Sequence, residues 1–413
     1  MFSDRVLRKR IFFTLGALVL FRLLATIPVP GIDASRIASF FSSNQLFGLI
    51  NLFSGGGFSN LSIIMLGVGP YITASIIMQL LTIIFPKLKA MYQDEGDIGR
   101  KKFAQYGRIL TVPLAVFQGF AFLTLLTRQN VIGQLSGFET IVNIAIITAG
   151  SMLLMWIGEL ITEFGIGNGT SLIIFSGIVT RLPQSIGQLF YTFDVSQIPL
   201  YIAFVVAAIV IIYAVVVITE AERPIPVTYA KRVRGAKVYG GLSTYLPLRV
   251  NQAGVIPIIF ALSILLFPQL IFSFLSNIDN ATLQTVSKFV LKVIANQWFY
   301  AIAYFFLVFV FTYFYTAVTF DPHMIATNLQ KNGAFIPGVR PGESTSEHIS
   351  NILTRLTLVG ALFLGVIAVL PLIMRAITGI QSLAIGGTAL LIVVSVVIDL
   401  IKKIEAQVSI REY

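Results

Sequence analysis

The sequence predicts an all-α protein that crosses a membrane many times, and three observations lead there. Of its 413 residues, 56% are hydrophobic and only 11% charged, where an ordinary soluble domain carries about 25% charge. Apolar runs of roughly 20 residues recur along the chain, each long enough for about 30 Å of hydrocarbon. The runs are continuous and do not alternate in polarity. That excludes a β-barrel and leaves helices, which satisfy their own backbone in lipid.

About ten spans are predicted, near 11–27, 63–85, 109–127, 141–161, 171–190, 198–219, 254–275, 297–319, 353–371 and 381–401. The first follows the basic start MFSDRVLRKR and runs to PVPGID without a small-residue cleavage pattern, so it reads as a retained span. With the N-terminus inside, about 22 of the 29 lysines and arginines fall on inner segments. Arg36, Arg128, Arg181, Lys288, Lys292 and Arg375 fall outside, and Arg22 lies near the outer end of the first span. This asymmetry orients the chain with both termini in the cytoplasm. Two inner loops, about 220–253 and 320–352, are long enough to stand out from the membrane. The ten spans divide into two sets of five, 1–190 and 191–413, an arrangement common in inverted-repeat membrane proteins.

Composition narrows the chemistry. The chain has no cysteine, which removes disulfides, thiolate metal sites and cysteine nucleophiles. Its two histidines, His323 and His348, lie in one polar loop, so no buried histidine cluster is available. No HExxH motif or pair of intramembrane aspartates supports an intramembrane protease. GIGNGT follows a membrane helix and has no lysine, so it reads as a cytoplasmic turn entering a helix after Asn168 and Gly169, not as a nucleotide loop. A secondary transporter is the main alternative, but transporters place ionisable residues near the midplane. Here Glu159 and Glu163 lie toward an inner end and Arg22 toward an outer one. No cofactor or metal is expected, and the chain does not read as an enzyme.

The segment 51–62, NLFSGGGFSNLS, is neutral and carries three consecutive glycines, each weakening a helix by roughly 1 kcal/mol. Its roughly 16 Å of helix cannot cross the bilayer. Broken backbone at membrane depth survives only where protein buries it or it lines a wet cavity. A re-entrant piece on the outer side fits these constraints.

The stretches NLFSGGGFSNLSI, GVGPYITASIIMQLL, EGDIGRKKFAQYGR, GELITEFGIGNGTS, GVIPIIFA, NLQKNGAFIPGVRPGE and TRLTLVGAL resemble the SecY family, large subunits of bacterial protein-conducting channels. The resemblance runs from about Arg8 to Asp399. It implies a clamshell of two five-helix halves around an hourglass pore, sealed by a short re-entrant plug. The plug would be Asn51, Leu52, Phe53, Ser54, Gly55, Gly56, Gly57, Phe58, Ser59 and Asn60. A ring of side chains at the waist would be Val68, Ile72, Thr170, Ile174, Ile259 and Ile392. Val68 and Ile72, and Thr170 and Ile174, are four apart and share a helical face. Aliphatic side chains hinder ions and continuous water, and a dry constriction of this kind can gate. Thr170 departs from the family's usual aliphatic residue; its hydroxyl is expected either to make the ring slightly wetter or to bond a backbone carbonyl one turn away.

The resemblance further implies a lateral gate between the second and seventh spans. Pro70 and Pro257, with Gly67, Gly69 and Gly254, are expected inside those spans, loosening them, with Gln79 and Asn251 as polar gate contacts. The loop 220–253 reads as two short strands around a turn at Arg234–Gly235, exposing Lys231, Arg232, Arg234 and Lys237. With Arg340 of the second loop, these residues are implied to contact the SecA motor and the ribosome. Arginine suits both by pairing bidentately with carboxylate or phosphate. SecE and SecG subunits, signal peptides, nascent chains and the lipid bilayer complete the implied partners.

Overall fold

The computed structural model describes residues 5–30, 57, 61–128, 132–133, 135–180, 183, 187, 198–230, 232–234, 237–239, 243–276, 280–378 and 381–412. Helices dominate. In chain order they are α1 (Arg5–Leu24), α2 (Gly69–Ile84), α3 (Pro86–Gln93), α4 (Gly96–Arg128), α5 (Gly137–Phe164), α6 (Gly169–Val179) and α7 (Ile198–Glu220). After strands β1 (Glu222–Tyr229), β2 (Arg232–Arg234), β3 (Lys237–Tyr239) and β4 (Ser243–Arg249) come α8 (Ile256–Leu275), α9 (Ala281–Ala295), α10 (Gln297–Thr319) and α11 (Pro322–Lys331). Strand β5 (Ala334–Phe335), α12 (Glu343–Thr378) and α13 (Gln381–Glu412) complete the order.

Each of the ten predicted runs overlaps a helix, although the second helix begins at Gly69 and the one entered at Gly169 ends at Val179. Among the described residues, α4, α5, α12 and the stretch 297–331 contain windows long and apolar enough to span a membrane, and α2 with α3 forms a pair bent by 112°. The bend falls at Phe85, which is extended (φ −109°, ψ 105°) before Pro86, as the residue preceding a proline prefers. Many large apolar side chains face outward, among them Ile202, Ile209, Tyr213, Ile302 and Phe306. A soluble protein avoids so wide an apolar exterior; in a multi-pass membrane protein it is the surface that lipid covers.

Local signals set the helix ends. Ser136 caps α5 through a reciprocal pair with Glu139, Glu139 N to Ser136 Oγ at 3.3 Å and Ser136 N to Glu139 Oε2 at 2.8 Å, the capping-box arrangement. Those bonds hold the Glu139 carboxyl below its ordinary range. Asn168 caps α6 by accepting from Ser171 N at 3.2 Å, after Gly167 turns the chain at φ +89°. The expected turn at GIGNGT is therefore present.

One large apolar cluster holds the bundle together, drawing on α1, α2, α5 and α6 from the first half of the chain and on α7, α8, α10, α12 and α13 from the second. Contacts between the two sets run along two seams. α8 packs against α2 and α4 on one side, and α13 packs against α6 on the other.

On the cytoplasmic side of the predicted topology, β1 pairs antiparallel with β4 from Glu222↔Arg249 to Thr228↔Ser243. The hairpin continues as β2–β3, with Arg234 opposite Lys237. The two short strands read from the sequence are thus an interrupted four-strand hairpin. β5 of the second loop adds to its edge through Thr228↔Phe335 and Tyr229↔Ala334, giving the order β4-β1-β5. Ile225, Val227, Leu248, Ala334, Ile336, Ile349 and Ile352 form a small core beneath, so the two loops fold as one unit with the start of α12.

Candidate functional site

Five of the six waist candidates lie in the one buried cluster. Val68 is 0% exposed, Ile72 8%, Ile174 1%, Ile259 6% and Ile392 2%. They come from the starts of α2 and α8, from α6 and from α13, and so from both sides of both seams. Thr170 stands apart. It sits half-buried in the first turn of α6, and its hydroxyl donates to Asn168 Oδ1 at 2.8 Å. The expected bond to a carbonyl one turn back is not made, because the cap residue offers a nearer acceptor.

The prolines are placed differently from the sequence reading. Pro70 and Pro257 do not interrupt spans; each is the second residue of its helix, where a missing N–H costs nothing. Upstream of each is a non-helical lead-in, 61–68 before α2 and 250–255 before α8. Both lead-ins carry a left-handed glycine, Gly67 at φ +59° and Gly254 at φ +60°, a conformation glycine adopts without strain. Two matching bonds follow, Ile72 N to Val68 O at 3.0 Å and Ile259 N to Val255 O at 3.3 Å. Gly-Val-x-Pro-x-Ile therefore occurs twice, at 67–72 and 254–259, with one backbone course.

The surroundings of the lead-ins differ. The first is tied to the chain after α1 by Val29 N to Leu61 O at 2.8 Å and Ile63 N to Ile27 O at 3.0 Å. Ser151 Oγ on α5 donates to Gly67 O at 3.0 Å in a buried setting. The second is tied at its start, Val250 N to Ala221 O at 2.9 Å. Gln79 on α2 and Asn251 before α8 each bury an acceptor oxygen without a hydrogen-bond partner among the described residues. Asn251 also lines a cavity of about 220 Å³ with Asn168, Ser171, Asp399 and Lys402, beside the ion pair Lys402–Glu220 at 2.9 Å.

Of the plug candidates, only Gly57 is among the described residues. It is buried, and its carbonyl accepts from Ser62 N at 2.8 Å. Asn51, Leu52, Phe53, Ser54, Gly55, Gly56, Phe58, Ser59 and Asn60 lie outside the described residues, as does Lys231. The backbones of Arg232, Arg234 and Lys237 run in β2 and β3, while their side chains lie outside the described set. Arg340 is exposed, in a loop shaped by left-handed Gly333, Gly338 and Gly342, and its carbonyl accepts from Thr345 Oγ1 at 2.8 Å.

A SecY family model matches residues 62–401. The chain belongs to the SecY family. The protein translocase subunit SecY of Corynebacterium glutamicum is 42% identical over all of this chain and 97% of its own length. That of Thermus thermophilus is 46% identical over 98% of this chain and 94% of its own. Among solved structures, a protein-conducting channel superposes with TM-score 0.68 at 20% identity, covering 98% of this chain and 93% of the other. Sec61 from the canine ribosome–channel complex of the endoplasmic reticulum superposes at 0.63 and 18%, covering 98% and 93%.

Family membership removes the transporter alternative. It also directs attention to residues the sequence reading passed over. Val255, 7% exposed and in the same cluster as Val68, occupies the position equivalent to Val68 in the repeated hexapeptide. The repeat was present in the sequence as GVGPYI and GVIPII, and comparing the two starts would have found it. The Arg108–Glu159 pair, 2.7 Å between α4 and α5, was missed because no periodicity links residues 51 apart.

Proposed function

We infer that this SecY-family chain is a passive, gated channel for unfolded secretory proteins, which also releases membrane-protein segments sideways into the lipid. The observation that carries this reading is the convergence of Val68, Ile72, Ile174, Ile259 and Ile392 in one buried apolar cluster that bridges the two seams. In the closed state such a waist is dry, and dryness blocks ions without any charged gate. A passing polypeptide parts the cluster, while flexible aliphatic side chains close around it. The plug, residues 51–60, adds a second seal on the outer side. The seam of α8 with α2 and α4 is the lateral gate, and the contact of α13 with α6 is the hinge side.

Energy comes from outside the chain, from SecA or from elongation on a ribosome. Both dock on the cytoplasmic unit carrying Lys231, Arg232, Arg234, Lys237 and Arg340, and SecE and SecG complete the channel. The protein resides in the cytoplasmic membrane with both termini inside. In support, the folds of a protein-conducting channel and of ribosome-associated Sec61 extend over nearly the whole chain, and the basic tips stand on a sheet where arginine can meet phosphate. The native chain has no cysteine, so the test is direct. A stalled secretory chain is crosslinked to single cysteines at Ile72 and Ile259, with a lipid-facing control at Ile209. Crosslinks at the first two alone are expected; equal crosslinking at Ile209 would refute a central route.

A further inference from the structure

The two lead-ins are approached at equivalent points by glycines to which the sequence assigns no role: Gly150 lies in no quoted motif, and Gly360 lies within TRLTLVGAL. On α5, a Cβ built on Gly150 would overlap the Ile63 carbonyl oxygen. On α12, a Cβ built on Gly360 would stand 2.6 Å from the Val250 carbonyl oxygen. Ile63 is four residues before Gly67, and Val250 is four residues before Gly254. The obstructing atom is backbone in both cases, so a methyl group cannot be absorbed by turning a side chain. Each helix must instead back away from the lead-in, or the lead-in must move.

We propose that Gly150 and Gly360 are paired positioning residues, one in each half, that seat the lead-ins and thereby set where Val68, Ile72 and Ile259 meet. The chain from each clamped carbonyl to its constriction residue is short and bonded. In the first half Ser151 also fixes Gly67 O, so Gly150 and Ser151 form a two-point hold. In the second half the residue after Gly360 is Ala361, buried and without a hydroxyl, so α12 offers no second hold beside Gly360, and the remaining tie is Val250 N to Ala221 O. A displaced lead-in rotates the helix that follows, and the waist no longer closes. This inference deepens the channel reading and rests on it.

The test uses the complete channel with its native subunits in vesicles, comparing Gly150→Ala, Gly360→Ala and Gly365→Ala with the unaltered chain. Gly365 lies on α12 too, but the atoms nearest a Cβ there belong to the Phe305 ring, at 2.7 Å, and not to backbone. It reports crowding of the same helix away from the lead-in. Three quantities are read: protein accumulation, resting ion flux per channel, and export of a client with a defective signal sequence. Gly150→Ala and Gly360→Ala are expected to raise flux several-fold and to admit the defective client, whereas Gly365→Ala lowers accumulation with flux per channel unchanged. Lowered accumulation with normal flux in all three would overturn the clamp and leave the channel intact. If the unaltered chain fails to export a normal client, the channel reading itself fails.

Discussion

The entries to α2 and α8 follow one six-residue pattern and one backbone course, yet they are secured to different degrees. The α2 entry is stitched to the chain after α1 by two backbone bonds and to α5 by Ser151. The α8 entry has the bond from Val250 to Ala221 and the close approach of Gly360. Each entry also buries one side-chain oxygen without a partner among the described residues, Ser62 Oγ before α2 and Asn251 Oδ1 before α8. A buried unpaired acceptor costs about 1–3 kcal/mol. The lesson is that one sequence pattern can be anchored unequally: the α2 entry has three cross-links to its surroundings, whereas the α8 entry has a single bond and a close approach.

The strongest way to break this comparison acts on both walls at once. Deleting residues 53–60 removes the proposed outer seal; translocation should persist while resting ion conductance rises more than in any point variant. Unchanged conductance would remove the plug assignment. Next in size, Ile72→Asn and Ile259→Asn each place an amide in the dry cluster, at a cost of about 1–3 kcal/mol if it goes unpaired. Both should admit water and ions, and Ile259→Asn should leak more because the entry behind it is less constrained. Equal leak from the two would mean that the difference in tethering has no mechanical effect.

Arg340→Glu should reduce SecA-driven export of a secretory client while protein level holds, since Arg340 is exposed. A parallel fall in level and export would count against a contact role. The smallest effect belongs to Ser151→Ala, which strands the Gly67 carbonyl for about 1 kcal/mol. Thermal unfolding of the purified channel should register it, Ser151→Thr should restore it, and Ala361→Ser should give no matching gain.

The spans were legible because hydropathy marks them: each of the ten runs overlaps a helix. Hydropathy could not separate a lead-in from the helix it enters. Residues 63–68 are as apolar as α2 itself, so hydropathy starts the second span too early and places Pro70 inside it. Burial in protein, invisible to composition, is what allows that stretch to stay non-helical. Strand β5 spans two residues, too few for any alternation to show, so the union of the two loops could not be foreseen. Thr170 was assigned by motif position, and its cap residue decided its bonding. Gly360 lies in TRLTLVGAL and Gly150 in no quoted motif, but neither shows its role, because a glycine within an apolar run looks like any small residue until the opposing backbone is in place.

Helix α12 begins at Glu343, directly beyond the Arg340 loop, and continues through Gly360 to Thr378. From its first residue to Gly360 it is a rod of about 26 Å, at 1.5 Å per residue. One end rests on the β4-β1-β5 sheet through Ile349 and Ile352, and the shaft presses the Val250 backbone. A load placed on the sheet platform therefore has a stiff pushrod to the α8 entry, and the lever arm is already built into the resting protein.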